Sequence, residues 1–143
     1  MEIKKVVVIG SGTMGSGIAA HLCNANIPVT LLDLKTEISE KARERIYKSK
    51  PPLLLDKSKI NNINTGNINE DFHVVKDADW IVEAVVERID IKHNIYQKIF
   101  KERKKGAIVS SNTSSIPIKV LSQNLSNEEK KDFCITHFFN PVR

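Results

Sequence analysis

The stretch Gly10-Ser11-Gly12-Thr13-Met14-Gly15 limits what this chain can fold into more than any other part of it. It follows Lys5-Val-Val-Val-Ile9, an apolar, β-branched run of the kind buried in parallel sheets. It leads into Met14, Ile18, Ala19, Leu22 and Cys23, which recur at helical spacing up to about Asn26. A strand, a glycine turn and a helix in this order make a cradle for phosphate. Gly10 permits the tight turn, Gly12 lets the backbone approach a pyrophosphate, and Gly15 lets the helix pack closely on the strand. Thr13 and Met14 open the helix, where unpaired N–H groups and the positive dipole end favour anions. Asp33 closes the next apolar run, Val29-Thr-Leu-Leu-Asp33. Its carboxylate suits the adenosine ribose hydroxyls and repels a 2′-phosphate, so the ligand expected is NAD rather than NADP. Lys35 softens that repulsion.

The rest of the chain alternates in the same way. Glu37 to Ser49 reads as a polar helix stopped by Pro51 and Pro52. Residues 53–70, rich in Asn, read as an exposed excursion with turns. Phe72-His-Val-Val75 is expected as a third strand and Trp80 to Val86 as a fourth. Ile91, Ile95, Ile99 and Phe100 stripe a helix from about Asp90 to Lys105, with Gly106 as its C-terminal cap. Ala107 to Ser111 is a fifth strand, Ile116 to Leu125 a helix, and Phe133 to Phe138 a sixth strand. Such alternation implies an α/β, Rossmann-type, doubly wound and mainly parallel sheet, as one domain over residues 1–143. Ligands in such sheets lie beyond the carboxyl ends of the strands, where each motif here falls.

Composition agrees with a packed core, since 41% of the 143 residues are hydrophobic although only 6% are aromatic. The net charge of +5 suits an anionic partner. Nucleic acid is not expected, because the one dense basic run, Lys101-Glu-Arg-Lys-Lys105, has no interleaved aromatics and reads as a solvated helix end. No stretch approaches the ~20 apolar residues of a membrane span. Cys23 and Cys134 are expected as free thiols in a reducing compartment. The location expected is the cytoplasm, with the mitochondrial matrix left open should a transit peptide have been removed. No metal site is expected.

Four segments occur in a telling order: Gly10 to Ala19, Ile81-Val-Glu-Ala-Val-Val-Glu87, Ser111-Asn-Thr-Ser-Ser115 and His137-Phe-Phe-Asn-Pro-Val142. In this the chain resembles the NAD-binding domain of 3-hydroxyacyl-CoA dehydrogenases, including the dehydrogenase part of multifunctional fatty-acid oxidation proteins. The resemblance implies NAD-dependent oxidation of a 3-hydroxyacyl-CoA to the 3-oxoacyl-CoA. It implies His137 as the general base, a role imidazole can fill near neutral pH. It implies Ser114 as the hydroxyl that bonds the reacting oxygen, and Asn112 as a neighbour of the nicotinamide. Glu87 and Lys92 match positions near the nicotinamide ribose and the substrate, whereas Glu83 reads as structural. CoA contacts would come from the helix around 37–50 and the basic stretch after it, with Ser49, Lys57 and Lys59 as candidates. The family also has a glutamate beyond the histidine and a helical domain over the substrate, neither of which occurs before Arg143. The expectation is therefore a cofactor-binding half that needs a further domain, or a module that holds NAD without turnover. Exposed apolar residues near Phe138, Phe139 and Pro141 suggest self-association or packing against such a domain.

Overall fold

The computed structural model describes residues 1–142. Six strands form one sheet: β1 (Val6–Ile9), β2 (Val29–Asp33), β3 (Ile63–Asn67), β4 (Trp80–Glu83), β5 (Ile108–Ser111) and β6 (Phe133–Ile135). Their order is β3-β2-β1-β4-β5-β6 and every neighbouring pair is parallel. The order reverses between β1 and β4, so the crossovers leave β1 in opposite directions and a crevice opens at the carboxyl ends there. The helices are α1 (Thr13–Asn24), α2 (Thr36–Lys48), α3 (Ile89–Glu102) and two single turns, α4 (Ile118–Leu121) and α5 (Asn127–Lys130).

The pleat of β1 sorts the core into two layers. Val6 and Val8 face a cluster with Ile18, Leu22 and Cys23 of α1, Ala42 and Ile46 of α2, and Ile63. Val7 and Ile9 face a second cluster with Ile95, Tyr96 and Ile99 of α3, Leu121 and Phe133. With both faces covered, central strands can be apolar throughout, as Val6–Ile9 are. Val142, the last described residue, is buried in the first layer beside Gly17 of α1.

Five expectations are corrected, besides the fourth strand, which stops at Glu83 rather than Val86. The third strand is Ile63–Asn67, inside the supposed excursion, whereas Phe72–Asp77 winds as a 3-10 segment. Strand β3 lies at the sheet edge, where Ser39 Oγ donates to Gly66 O (2.9 Å) and Arg43 Nε to Ile63 O (2.9 Å). These side chains of α2 satisfy edge carbonyls that would otherwise face solvent. The last strand stops at Ile135, because residues 136–142 turn back along the sheet end. Helix 116–125 shrinks to the turn Ile118–Leu121, and a Ser126/Glu129 capping box starts a separate turn, α5. Helix α3 ends at Glu102, so Gly106 (φ +85°) shapes the loop into β5 rather than capping the helix. Nor is the basic run merely a solvated helix end. Arg103 Nη1 pairs with Asp132 (2.7 Å) and Lys104 Nζ with Asp79 (2.5 Å).

Asp79 also accepts the backbone N–H groups of Lys4 (2.8 Å) and Lys5 (3.0 Å), tying the chain start to β4. Hydrogen bonds from Lys104 and Lys4 hold its carboxyl at about 2, below the ordinary 3.8. A depressed carboxyl adds stability that is complete above its unfolded pKa and disappears as pH falls through its folded one. Asp79→Asn should therefore lower the urea midpoint at pH 6 but bring it close to wild type near pH 2. An equal loss at both values would contradict the assignment.

Candidate functional site

The glycine loop leaves β1 with no space for side chains. Gly10 has φ +103°, and a Cβ there would sit 2.4 Å from Ala84 O. A Cβ on Gly15 would lie 1.8 Å from Gly10 O. Gly12 differs, since a Cβ there would meet nothing within 4 Å. Gly12 is the N-cap of α1, and neither a side-chain cap nor an acidic residue occupies the first turn. The exposed backbone of Gly12 and Thr13 thus opens onto free space at a positive dipole end, which suits a pyrophosphate.

Asp33 ends β2 beside this loop. Its Oδ2 accepts from Ser11 N (2.8 Å) and Ser11 Oγ (2.5 Å), and its Oδ1 from Leu34 N (2.7 Å). A carboxylate has about four acceptor directions, so one remains. Asp33 lines a cavity of about 320 Å³ with Gly10, Gly12, Leu34, Ile68, Val86 and Ile91. The polar edge and apolar walls match a ribose and a flat purine.

A second cavity, of about 310 Å³, lies across Ala84 and Val85, which line both. Met14, Glu87, Lys92, Asn112, Ser114, His137 and Asn140 line it. Here α1, the end of β4, α3 and the segments that follow β5 and β6 converge. Asn112 follows β5; its N–H donates to Glu83 O (2.9 Å), and its Oδ1 accepts from Phe138 N (2.8 Å). That bond holds the segment carrying His137 against the end of β5. Ser114 and His137 are exposed, whereas Lys92 is 1% exposed at the cavity floor.

Lys92 Nζ lies between two carboxylates, 2.6 Å from Glu83 Oε2 and 3.0 Å from Glu87 Oε1. Glu87 Oε2 also accepts from Thr113 Oγ1 (2.7 Å) and Ser115 Oγ (3.1 Å). Partial burial alone would raise the Glu87 pKa; the hydrogen bonds from Thr113 and Lys92, with the charge of Lys92, outweigh it and hold Glu87 below the ordinary value. Glu87 is therefore ionised at neutral pH, an acceptor suited to sugar hydroxyls.

Of the cofactor-side residues expected from the sequence, Asp33, Gly10 and Gly12 line one of two adjoining cavities and Met14, Glu87, Lys92 and Asn112 the other, with Ser114 and His137, whereas Gly15 is buried against Gly10 and lines neither. Thr13 stands exposed at the loop without lining either. Asn140 and the backbone at Ala84 and Val85 were not expected. Asn140 lies within the His137–Val142 segment, which was its available signal, whereas Ala84 and Val85 line both cavities only because the strand order reverses beside them. Of the residues considered for CoA, Lys59 is held by Asn26 Oδ1 (2.6 Å) and Asn24 O, Ser49 by Pro51 O, and Lys57 lies over the Tyr47 ring. None of the three reaches either cavity.

The family described as 3-hydroxyacyl-CoA dehydrogenase, NAD binding domain, matches residues 5–143. The chain belongs to this family. Its cofactor is NAD, and the open backbone at Gly12 with the acceptor at Asp33 fits it. A Rickettsia felis protein named as a fatty acid oxidation complex trifunctional enzyme is 46% identical over 99% of this chain and 21% of its own length. A Deinococcus radiodurans protein named as a 3-hydroxyacyl-CoA dehydrogenase is 41% identical over 100% of this chain and 43% of its own. The 3-hydroxybutyryl-CoA dehydrogenase structure from Escherichia coli superposes with a TM-score of 0.85 at 27% identity, over 99% of this chain and 31% of that one. The chain thus spans less than half the length of these relatives.

The three glycines differ in a way that separates folding from binding. Gly12 has φ −68° and ψ −165°, a conformation open to any L-residue. Gly12→Val should keep the melting temperature within roughly 2–4 °C, as an exposed substitution without strain does. It should weaken NADH binding roughly tenfold or more, because the branched side chain fills the space a phosphate needs. Unchanged NADH affinity by fluorescence titration would remove Gly12 from the phosphate site.

Proposed function

We propose that this chain is the cofactor half of an enzyme that oxidises 3-hydroxyacyl-CoA to 3-oxoacyl-CoA in fatty-acid β-oxidation. The observation that carries the reading is the single cavity lined by Met14, Glu87, Lys92, Asn112, Ser114 and His137, next to an intact glycine loop. Names of relatives from fatty-acid oxidation complexes support the same class of chemistry. NAD, when bound, supplies the hydride acceptor. Asp33 receives the adenosine ribose, and Glu87 the nicotinamide ribose. His137, exposed at the mouth, takes the proton of the 3-hydroxyl during oxidation and returns it in reduction. Ser114 bonds the reacting oxygen and can donate or accept as it changes from alcohol to ketone. Lys92, facing the same cavity, places a positive charge near that oxygen.

The mouth is open to solvent beside Phe139, which is 74% exposed. Fast turnover needs water excluded there, so a covering domain of the kind the longer relatives have room for completes the site. Reduction of acetoacetyl-CoA with NADH tests the reading. In a protein that includes such a domain, His137→Gln should lower kcat by about 10²–10⁴-fold, the usual weight of a general base, with NADH affinity little changed. Asp33→Ala should instead weaken NAD binding by about 1.5–3 kcal/mol, the value of a charge-assisted hydrogen bond, and narrow the preference over NADP. A His137→Gln protein at full rate, or an unchanged NAD-to-NADP ratio after Asp33→Ala, would overturn the respective role.

A further inference from the structure

Glu83 is fully buried at the last position of β4, in register with Ile9 on one side and Ser111 on the other. A lone carboxylate at the centre of a sheet would be costly. This one accepts four hydrogen bonds. Oε1 takes Tyr96 Oη (2.5 Å) and Ser111 Oγ (2.7 Å), and Oε2 takes Lys92 Nζ (2.6 Å) and Val85 N (2.9 Å). The four donors come from three parts of the site's frame. Tyr96 and Lys92 come from α3, Ser111 from the end of β5, and Val85 from the backbone that divides the two cavities. Burial first, and the neighbouring Glu83 charge second, raise Tyr96 far above its ordinary value, so its hydroxyl stays a donor. The main-chain oxygen of Glu83 receives Asn112 N as well.

Glu83 itself has no exposed surface, although the cavity reaches its edge. Lys92 does face the cavity, and its long flexible stem would carry the ammonium elsewhere without a fixed acceptor. Glu87 cannot fix it alone, because that side chain is 42% exposed and is shared with Thr113 and Ser115.

We propose that Glu83 is a positioning residue, whose carboxylate fixes Lys92 and the end of β5 in the arrangement that receives the nicotinamide half of NAD. This rests on the reading of Lys92 as a cofactor-site group. Glu83 acts through Lys92, so their effects on binding must overlap. A Gln at this position keeps the shape and can satisfy its neighbours: its carbonyl accepts from Lys92, and its amide donates to the hydroxyls of Tyr96 and Ser111. What it removes is the charge that holds the ammonium.

The test is a double-mutant cycle on NADH affinity, read by fluorescence titration of the chain, with near-UV circular dichroism to establish that each variant is folded. Glu83→Gln should weaken NADH binding roughly tenfold, and Lys92→Met by at least as much. The double variant should bind no more weakly than Lys92→Met alone, a coupling of the size contacting residues show. Tyr96→Phe removes one donor to Glu83 without touching the cavity, and provides a second cycle should Glu83→Gln not fold. It should cause a smaller loss that also vanishes in the Lys92→Met background. Losses that add, or a folded Glu83→Gln with affinity within twofold of wild type, would overturn the positioning role and leave the site reading intact. Lys92→Met with unchanged affinity would overturn both.

Discussion

Where β1 meets β4, main chain packs on main chain. Gly10 turns beneath Ala84 with no space for a Cβ, and Gly15 brings α1 down onto the carbonyl of Gly10. Gly10 N donates to Leu32 O and Ala84 N to Ile9 O, so the turn is held from both neighbouring strands. The rest of the site follows from this closeness. With α1 drawn in, its N-terminus points across the carboxyl ends of the strands, and Ala84 and Val85 form the ridge between the two cavities. A single added methyl at Gly15 would push helix and strand apart, and with them the surfaces that face the cofactor.

Behind this seam sits a charge cluster that is buried at Glu83 and Lys92 and half-exposed at Glu87. Among the described residues, no buried side-chain nitrogen or oxygen lacks a partner. Removing one member of a buried ion pair costs about 3–5 kcal/mol, because the other charge remains without its partner. An apolar core of the same volume would be as stable or more so. The retention of charge under a cavity floor is therefore better explained by what the cavity must hold than by folding alone. The cluster also ties β4 and α3 to the end of β5 and the turn after it.

The pattern of residues carried the sheet's centre and the position of the site well. Val6–Ile9, Val29–Asp33 and Trp80–Glu83 are buried on both faces and read directly as apolar runs. The edge was illegible for a physical reason. In Ile63-Asn-Thr-Gly-Asn67 the buried Asn67 is satisfied by other parts of the chain rather than by water. Asn67 N donates to Asp71 and Asn67 Nδ2 to Thr36 Oγ1, and Gly66 fits beneath Asp71. Composition cannot distinguish that from a polar loop. Phe72–Val75 has strand-like residues but winds as a 3-10 segment that packs Val75 into the second core layer. At the site, Asn112, Ser114 and His137 were legible only as part of a resembling pattern, since a polar turn and a histidine at a strand end carry little meaning alone. Lys92 was likewise legible only through the resemblance, and its burial was not, because that depends on two acids that meet it in three dimensions.

The pairing of Val6 with Trp80 has a consequence for how the molecule forms. The first strand made is the central one, and one of its two neighbours lies more than half a chain away. During synthesis, β1 can pair early with β2, and β2 with β3, as one local unit. The other edge of β1 then waits for β4, roughly 4–15 s at the usual 5–20 residues per second. For that interval a flat row of valines has its hydrogen-bonding groups unpaired, a surface that other nascent chains can also recognise. The crevice that later receives the cofactor thus forms only after β4 has arrived, and the glycine turn gains its packing against Ala84 only then.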